Sequence, residues 1–332
     1  MMKVKMMKGK HIFWLLGVLL LFLSACGTAG EGAGETAVSP PILMLPELSP
    51  PDLQGRKLRV AATTSVIGDV VGQVGGEAIA LTTLIQPGQD PHGYEPSADD
   101  LRLASQADVI FVNGWDLEET LVKSLRGVAQ DTAVVPISAD IQPRILDEKT
   151  GAVDPHVWLD PYLAAQWVEN VALVLSELDG GNTAVYQTNA QNYLAELEAL
   201  EESMTADLSG IPPEKRVLVT NHDSLGYFAD RFDFEILGTV IPSTSALAEP
   251  SATDMADLAA KMRQAGVCTI FAETTGNDQL AQAVAGELDF CDEVQVLSLY
   301  TGALGPPGSG ADSYIGMMQA NTEIILQGLR DT

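Results

Sequence analysis

Four histidines occur in the chain, and three of them, His92, His156 and His222, fall in short turn-rich segments: QDPHGYEPS, VDPHVWLDP and TNHDSLGYF. Imidazole is the commonest protein ligand for zinc-like metals. Histidines in such similar settings, each beside a strand or helix signal, read as one dispersed metal site. Three unrelated surface or core histidines are the alternative, and separations of this length do not decide between the two. Three imidazoles plus a water would also suit a catalytic zinc, which lowers the water pKa towards 7. Against that zinc hydrolase reading, no nucleophile elbow, HExxH or paired-acid motif accompanies the histidines. A surface adhesin is a third class, compatible with the anchor described below but with no sequence feature of its own.

The elements that must position these histidines alternate apolar runs with helical patterns, the mark of α/β layers. KLRVAATTS, IALTTLI, ADVIFVNG and TAVVPIS read as strands, separated by helical VIGDVVGQVGG, a short helix that Ser97 and Asp100 open as a capping box, and WDLEETLVKSLRGVAQ. Asp160-Pro161 supplies an N-cap and a first-turn proline for a helix to about Leu178. Thr183 to about Leu208 is the longest helical pattern, with Tyr186, Tyr193, Leu194, Leu197, Leu200 and Met204 at helical spacing. The second half repeats the logic: strands RVLVTNH, EILGTV, CTIFAE and VQVLSLY, helices SLGYFADRF, SATDMADLAAKMRQAG and SYIGMMQANTEIILQGL. His92 and His222 follow strands directly or after a short loop, where ligands of such sheets bind. This favours the shared site. The expected organisation is two αβ lobes with central sheets, 55–181 and 211–332, joined through a long helix, 182–210.

The ends and the composition set the compartment. Lys3, Lys5, Lys8 and Lys10 precede the apolar run Ile12–Leu23, and Leu23-Ser24-Ala25-Cys26 follows in lipobox order. Residues 1–25 therefore read as a lipoprotein signal peptide and Cys26 as the acylated residue, with an ordinary secretory signal or a signal anchor as alternatives. Residues 26–54, rich in Gly, Ala and Pro, read as a flexible tether that would reach roughly 30 Å on average. The net charge of −27 repels nucleic acid. Cys268 and Cys291 form an even pair outside the cytoplasm, and a disulfide and two buried thiols are both open readings.

DPHGYEPS, DPHVWLDP, TNHDSLGYFADRF, IFAE and DSYIGMMQANTEII, in that order over about residues 56–330, resemble the solute-binding lipoproteins of zinc and manganese ABC importers. The resemblance implies a non-enzymatic monomer, anchored to the bacterial cell membrane by lipid, that captures an extracytoplasmic metal and delivers it to a membrane permease. It implies that the long helix is a rigid bridge with one metal in the interlobe cleft, and it makes His92 and His156 the N-lobe ligands and His222 the C-lobe ligand. Histidine at this third position is typical of zinc members and glutamate of manganese members, in line with donor hardness, so Zn2+ is expected ahead of Mn2+. Glu273 matches an acidic family position, either as a further ligand or as a partner that orients a histidine. One departure stands out: where the family has Tyr/Phe-Thr-Asp, this chain has Tyr300-Thr301-Gly302. The fourth position is then open to water or another acid. Asp312 is expected to cap the last helix. The His-rich loop of many zinc members is missing from residues 113–153.

Overall fold

The computed structural model describes residues 42–129 and 132–330. The signal peptide, Cys26, His11 and most of the expected tether lie outside these residues. The N-lobe sheet is built from β1 (Leu58–Ala62), β2 (Ile79–Thr83), β3 (Val109–Val112) and β4 (Ala133–Pro136). All of its pairings are parallel, in the order β2-β1-β3-β4. Its connections are α1 (Ser65–Gly75), α2 (Ala98–Ser105) and α3 (Glu119–Val128). A two-stranded hairpin, β5 (Ile145–Asp147) with β6 (Ala152–Val153), precedes His156, and α4 (Pro161–Leu178) follows it. α5 (Thr183–Leu208) then leads to the C-lobe: β7 (Val217–Thr220), α6 (Gly226–Phe232), β8 (Glu235–Thr239), α7 (Ala252–Ala265), β9 (Thr269–Glu273), α8 (Gln279–Ala285), β10 (Gln295–Leu299) and α9 (Tyr314–Arg330). Its sheet is also parallel, ordered β10-β9-β7-β8. Taken in chain order, the two lobes share one topology, and each reverses direction between its first and third strand.

Local chemistry explains most boundaries. Ser97 with Asp100 and Ser251 with Asp254 form reciprocal capping boxes at α2 and α7. Asp160 accepts the Tyr162 N–H ahead of Pro161. Gly266 stops α7 in a left-handed conformation, which costs glycine nothing. α3 begins later than the run WDLEETL suggests, because Gly114, Trp115 and Asp116 all take positive φ and cannot continue a helix. The helical reading of SLGYFADRF also shortens, to Gly226–Phe232.

α5 packs against α4 and α1 of the N-lobe and against α9 of the C-lobe, so it belongs to both lobes. It buries Tyr186, Ala190, Tyr193, Leu197, Leu200, Met204 and Leu208 along one stripe. Truncating Leu197 to Ala would cost about 2–5 kcal/mol. Residues 42–53, read above as the end of the tether, hold no helix or strand but lie against the core through Leu45, Leu48 and Leu53. The Leu43 carbonyl also accepts the Asp140 N–H at 2.8 Å. Asp312 does not cap the last helix. Its carboxylate accepts the Gly308 N–H, while Asp69 of α1 takes the free N–H of Tyr314 at 2.9 Å. A disulfide joins Cys268 to Cys291, with Cα atoms 5.9 Å apart, and ties the entry of β9 to the segment before β10. Among the described residues no helix is long and apolar enough to cross a membrane.

Candidate metal centre

The carboxyl ends of the strands face the cleft between the lobes. His92 lies in the loop after β2, His156 on the turn between β6 and α4, and His222 two residues past β7. The two DPH segments fold alike: Asp90 accepts the His92 N–H at 2.9 Å and Asp154 accepts the His156 N–H at 3.0 Å. Each aspartate thus turns its own histidine inward. Glu273 closes β9, the neighbour of β7 across the point where the C-lobe strand order reverses.

The three imidazoles converge. His156 Nε2 lies 3.2 Å from Nε2 of His92 and 3.2 Å from Nε2 of His222. The three ligand atoms lie within 4.8 Å of one another. Nitrogens each about 2.0–2.1 Å from a tetrahedral zinc would be about 3.3 Å apart. The spacing therefore fits one ion bound on the Nε2 side of all three rings. Three protonated imidazoles could not share this space.

The opposite ring nitrogens have their own partners. His156 Nδ1 is 2.8 Å from Asp154 Oδ1, and His222 Nδ1 is 2.5 Å from Glu273 Oε1. Thr301 donates its hydroxyl to the same Glu273 oxygen at 2.7 Å. The His222–Glu273 approach is close but poorly aligned for a hydrogen bond. Carboxylates placed behind metal-binding histidines fix the tautomer and raise ligand basicity. Glu273, considered above as a further ligand or an orienting group, sits on the Nδ1 side of His222 and outside the Nε2 cluster.

Burial and neighbours divide the histidines electrostatically. Burial, with the other imidazoles, lowers His92 to about 2. Burial, with His222, holds His156 well below its ordinary value. Burial works against charge on His222 too, but the Glu273 carboxylate outweighs it and raises this pKa. Glu273 is lowered in turn: burial would raise it, and His222 prevails.

Nothing in the sequence marks Asp154 or Thr301 for a role at the site. Asp154 was visible only as the first residue of DPH, a motif whose other copy, Asp90, makes just the backbone contact. Trp158 was also missed; its ring packs against His156, and its Nε1 donates to the Thr301 carbonyl at 2.9 Å, joining the lobes beside the site. Gly302 faces Pro91 and Thr275.

This geometry defines a class: a two-lobed α/β binding protein that holds a metal between lobes bridged by a long helix. Residues 60–328 match the family described as zinc-uptake complex component A, periplasmic. The manganese-binding lipoprotein MntA of Halalkalibacterium halodurans is 30% identical over 325 residues, 97% of this chain and 99% of that protein. The manganese ABC transporter substrate-binding lipoprotein PsaA of Streptococcus pneumoniae is 29% identical, covering 95% of this chain and 98% of its own length. The periplasmic zinc-binding protein TroA of Treponema pallidum superposes with a TM-score of 0.76 at 30% identity, over 82% of this chain and 99% of that one. The chain belongs to the zinc-uptake component A family. It is a solute-binding component of a metal ABC importer and not an enzyme. Relatives named for zinc and for manganese both match, and most of the curated ones are named for manganese, so the expected ranking of manganese behind zinc does not follow from the family.

Proposed function

We propose that the protein captures one divalent transition-metal ion through Nε2 of His92, His156 and His222 and delivers it to a membrane permease. The observation that carries this reading is the convergence of three imidazole nitrogens from both lobes, at spacings a single ion would span. Asp154 acts from behind His156, fixing its tautomer, and the Glu273 carboxylate stands behind His222 as a close counter-charge. The long helix packed into both lobes favours small hinge or loop movements over wide closure. The protein works outside the cytoplasm as a monomer, held to the membrane through a lipid on Cys26. The lipoprotein names of its relatives support the anchor.

The all-nitrogen cluster favours zinc, since imidazole suits it and the affinity order of divalent ions places it above manganese. Manganese is the second reading, supported by the names of the curated relatives and by a manganese-bound neighbour from Candidatus Liberibacter asiaticus, which superposes with a TM-score of 0.73 at 27% identity, over 82% of this chain and 100% of that one. Metal-free protein should bind one equivalent of zinc, and zinc should displace manganese in competition titrations. At free zinc a thousandfold above Kd, the native state should gain about 4 kcal/mol, read as a raised melting temperature. A melting curve that no divalent metal moves would remove the site, and manganese displacing zinc would reverse the choice of cargo.

A further inference from the structure

His156 is the most deeply buried of the three histidines, and one carboxylate sets its orientation. Asp154 Oδ1 takes both the backbone N–H and the Nδ1–H of His156. Asp154 Oδ2 is buried and has no hydrogen-bond partner. The cation facing it is Arg144, with Nη1 at 4.0 Å.

Arg144 belongs to the N-lobe, yet helix α6 of the C-lobe holds it. Its Nε donates to Asp230 at 3.0 Å, and its backbone N–H donates to the Tyr227 hydroxyl at 2.8 Å. The same hydroxyl donates to the Asp154 carbonyl at 2.9 Å. The first residue of α6 is Gly226, and the close approach needs it. A Cβ there would lie 2.6 Å from Arg144 Nη1 and 2.7 Å from Asp154 Oδ2. The guanidinium could swing away, but the carboxylate is fixed on His156. An unbroken chain of contacts thus runs from α6 through Arg144, Tyr227 and Asp154 to a ring nitrogen of His156.

We propose that this chain is a clasp between the lobes, through which the seating of α6 holds His156 on the metal. Arg144 and Tyr227 are positioning residues that govern how long the ion is retained. With α6 seated, the guanidinium faces the otherwise unpartnered carboxylate oxygen, and the carboxylate keeps the ring aimed at the cleft. With α6 displaced, Asp154 loses its cation and its carbonyl loses the tyrosine, and His156 is free to turn. Release can then be triggered at α6 without contact with the metal. The inference rests on the reading of His156 as a ligand.

The test uses the full chain in detergent, loaded with zinc, with dissociation followed by stopped-flow transfer to a fluorescent chelator. Arg144→Gln should speed dissociation about tenfold and leave association little changed, within the 10–100-fold range for residues that support ligands. Arg144→Lys, which keeps the charge, should recover part of that loss. Tyr227→Phe removes one hydroxyl and keeps the packed ring; it should change dissociation in the same direction by less, and it serves if the arginine variants fail to fold. The control is Arg231→Gln, which breaks a second interlobe contact from α6, Arg231 Nε to Asp160 at 2.9 Å. That contact leads to the cap of α4 and not to a histidine. Its loss should lower the melting temperature and leave zinc dissociation unchanged. In the cobalt-loaded protein, the exchangeable Nδ1–H resonance of His156 should broaden in Arg144→Gln and not in Arg231→Gln.

Equal acceleration in Arg144→Gln and Arg231→Gln would reduce the effect to general lobe docking and overturn the clasp. So would unchanged dissociation in Arg144→Gln and Tyr227→Phe while His156→Ala loses zinc. Unchanged zinc binding in His156→Ala would remove the ligand reading itself.

Discussion

The two lobes share a strand order yet equip the site differently. The N-lobe places its histidines on two DPH turns, one after β2 and one ahead of α4, away from its own strand reversal. The C-lobe places His222 just past β7 and Glu273 at the end of β9, the two strands that flank its reversal. Their electrostatics differ as well. Burial strips the N-lobe histidines of charge, with His92 at about 2 and His156 well below its ordinary value, whereas Glu273 holds His222 towards its protonated form. One topology has thus produced a half whose histidines burial holds towards the neutral form and a half in which a carboxylate holds a histidine towards charge.

The sharpest way to break this comparison is to remove a ligand from one half and exchange the donor in the other. His156→Ala should weaken zinc and manganese alike, by more than the roughly 100-fold upper range for supporting residues. His222→Glu keeps a donor and exchanges nitrogen for a harder oxygen, so the zinc-to-manganese affinity ratio should fall about tenfold or more. Competition titrations on both variants give the ratio. If His222→Glu leaves it unchanged, His222 does not bear on metal choice and the division between lobes fails.

This division was only partly legible in the sequence. Alternating runs announced both sheets and the long helix, because strands buried on both faces, such as VIFV in β3, leave continuous apolar signals. The hairpin β5–β6 was missed because RILDEKTGAV is short, charged and mostly exposed. Seven-residue α8 was missed because too few turns exist to show a period. Residues 42–53 read as tether because prolines interrupt them, though their leucines pack on the core. The histidines stood out by rarity and context. Their supporting groups did not, since Asp154 and Thr301 are common residue types whose roles arise from a turn and from a neighbouring strand's loop. Trp158 looked like ordinary core.

The next effect isolates the proton. His222 has a folded pKa above its ordinary value, so in the metal-free protein it is protonated below that raised pKa and loses the proton as pH rises through it. Zinc must displace this proton. Affinity should therefore rise with pH through the His222 pKa, and the Asp154 carboxyl, which burial pushes up to about 7 behind His156, adds a second pH dependence common to wild type and a Glu273 variant. Glu273→Gln removes the carboxylate and leaves burial to neutralise His222. Zinc affinity should fall about 10–100-fold, and the proton released from His222 should disappear. Calorimetry near pH 6.5 in two buffers of different ionisation heat counts that proton. Equal release from wild type and variant would place the proton elsewhere.

The smallest effect concerns Gly302, where the family resemblance leads to an expected aspartate and, among the described residues, the C-lobe contributes no carboxylate to the cluster. Backbone strain is no obstacle to Gly302→Asp, since Gly302 is outside the left-handed region. The loop is also held in place, with the Thr301 carbonyl bonded to Trp158 and the Leu304 N–H to Ser65 at 3.1 Å. A Cβ at this position would lie 3.3 Å from Pro91 Cδ and 3.5 Å from the Thr275 hydroxyl, tight but not closed. A carboxylate there would enter the cleft beside the His92 loop and offer a metal its fourth donor. Pro91 opposes the gain, because it precedes His92 and any recoil moves a ligand. The expected balance is a gain of up to about tenfold, near 1.4 kcal/mol, larger for manganese than for zinc because the added donor is a hard oxygen. Titration of both metals against wild type and variant decides it. Weaker binding of both would mean that recoil at Pro91 outweighs the new bond, and a gain for zinc alone would contradict the donor argument.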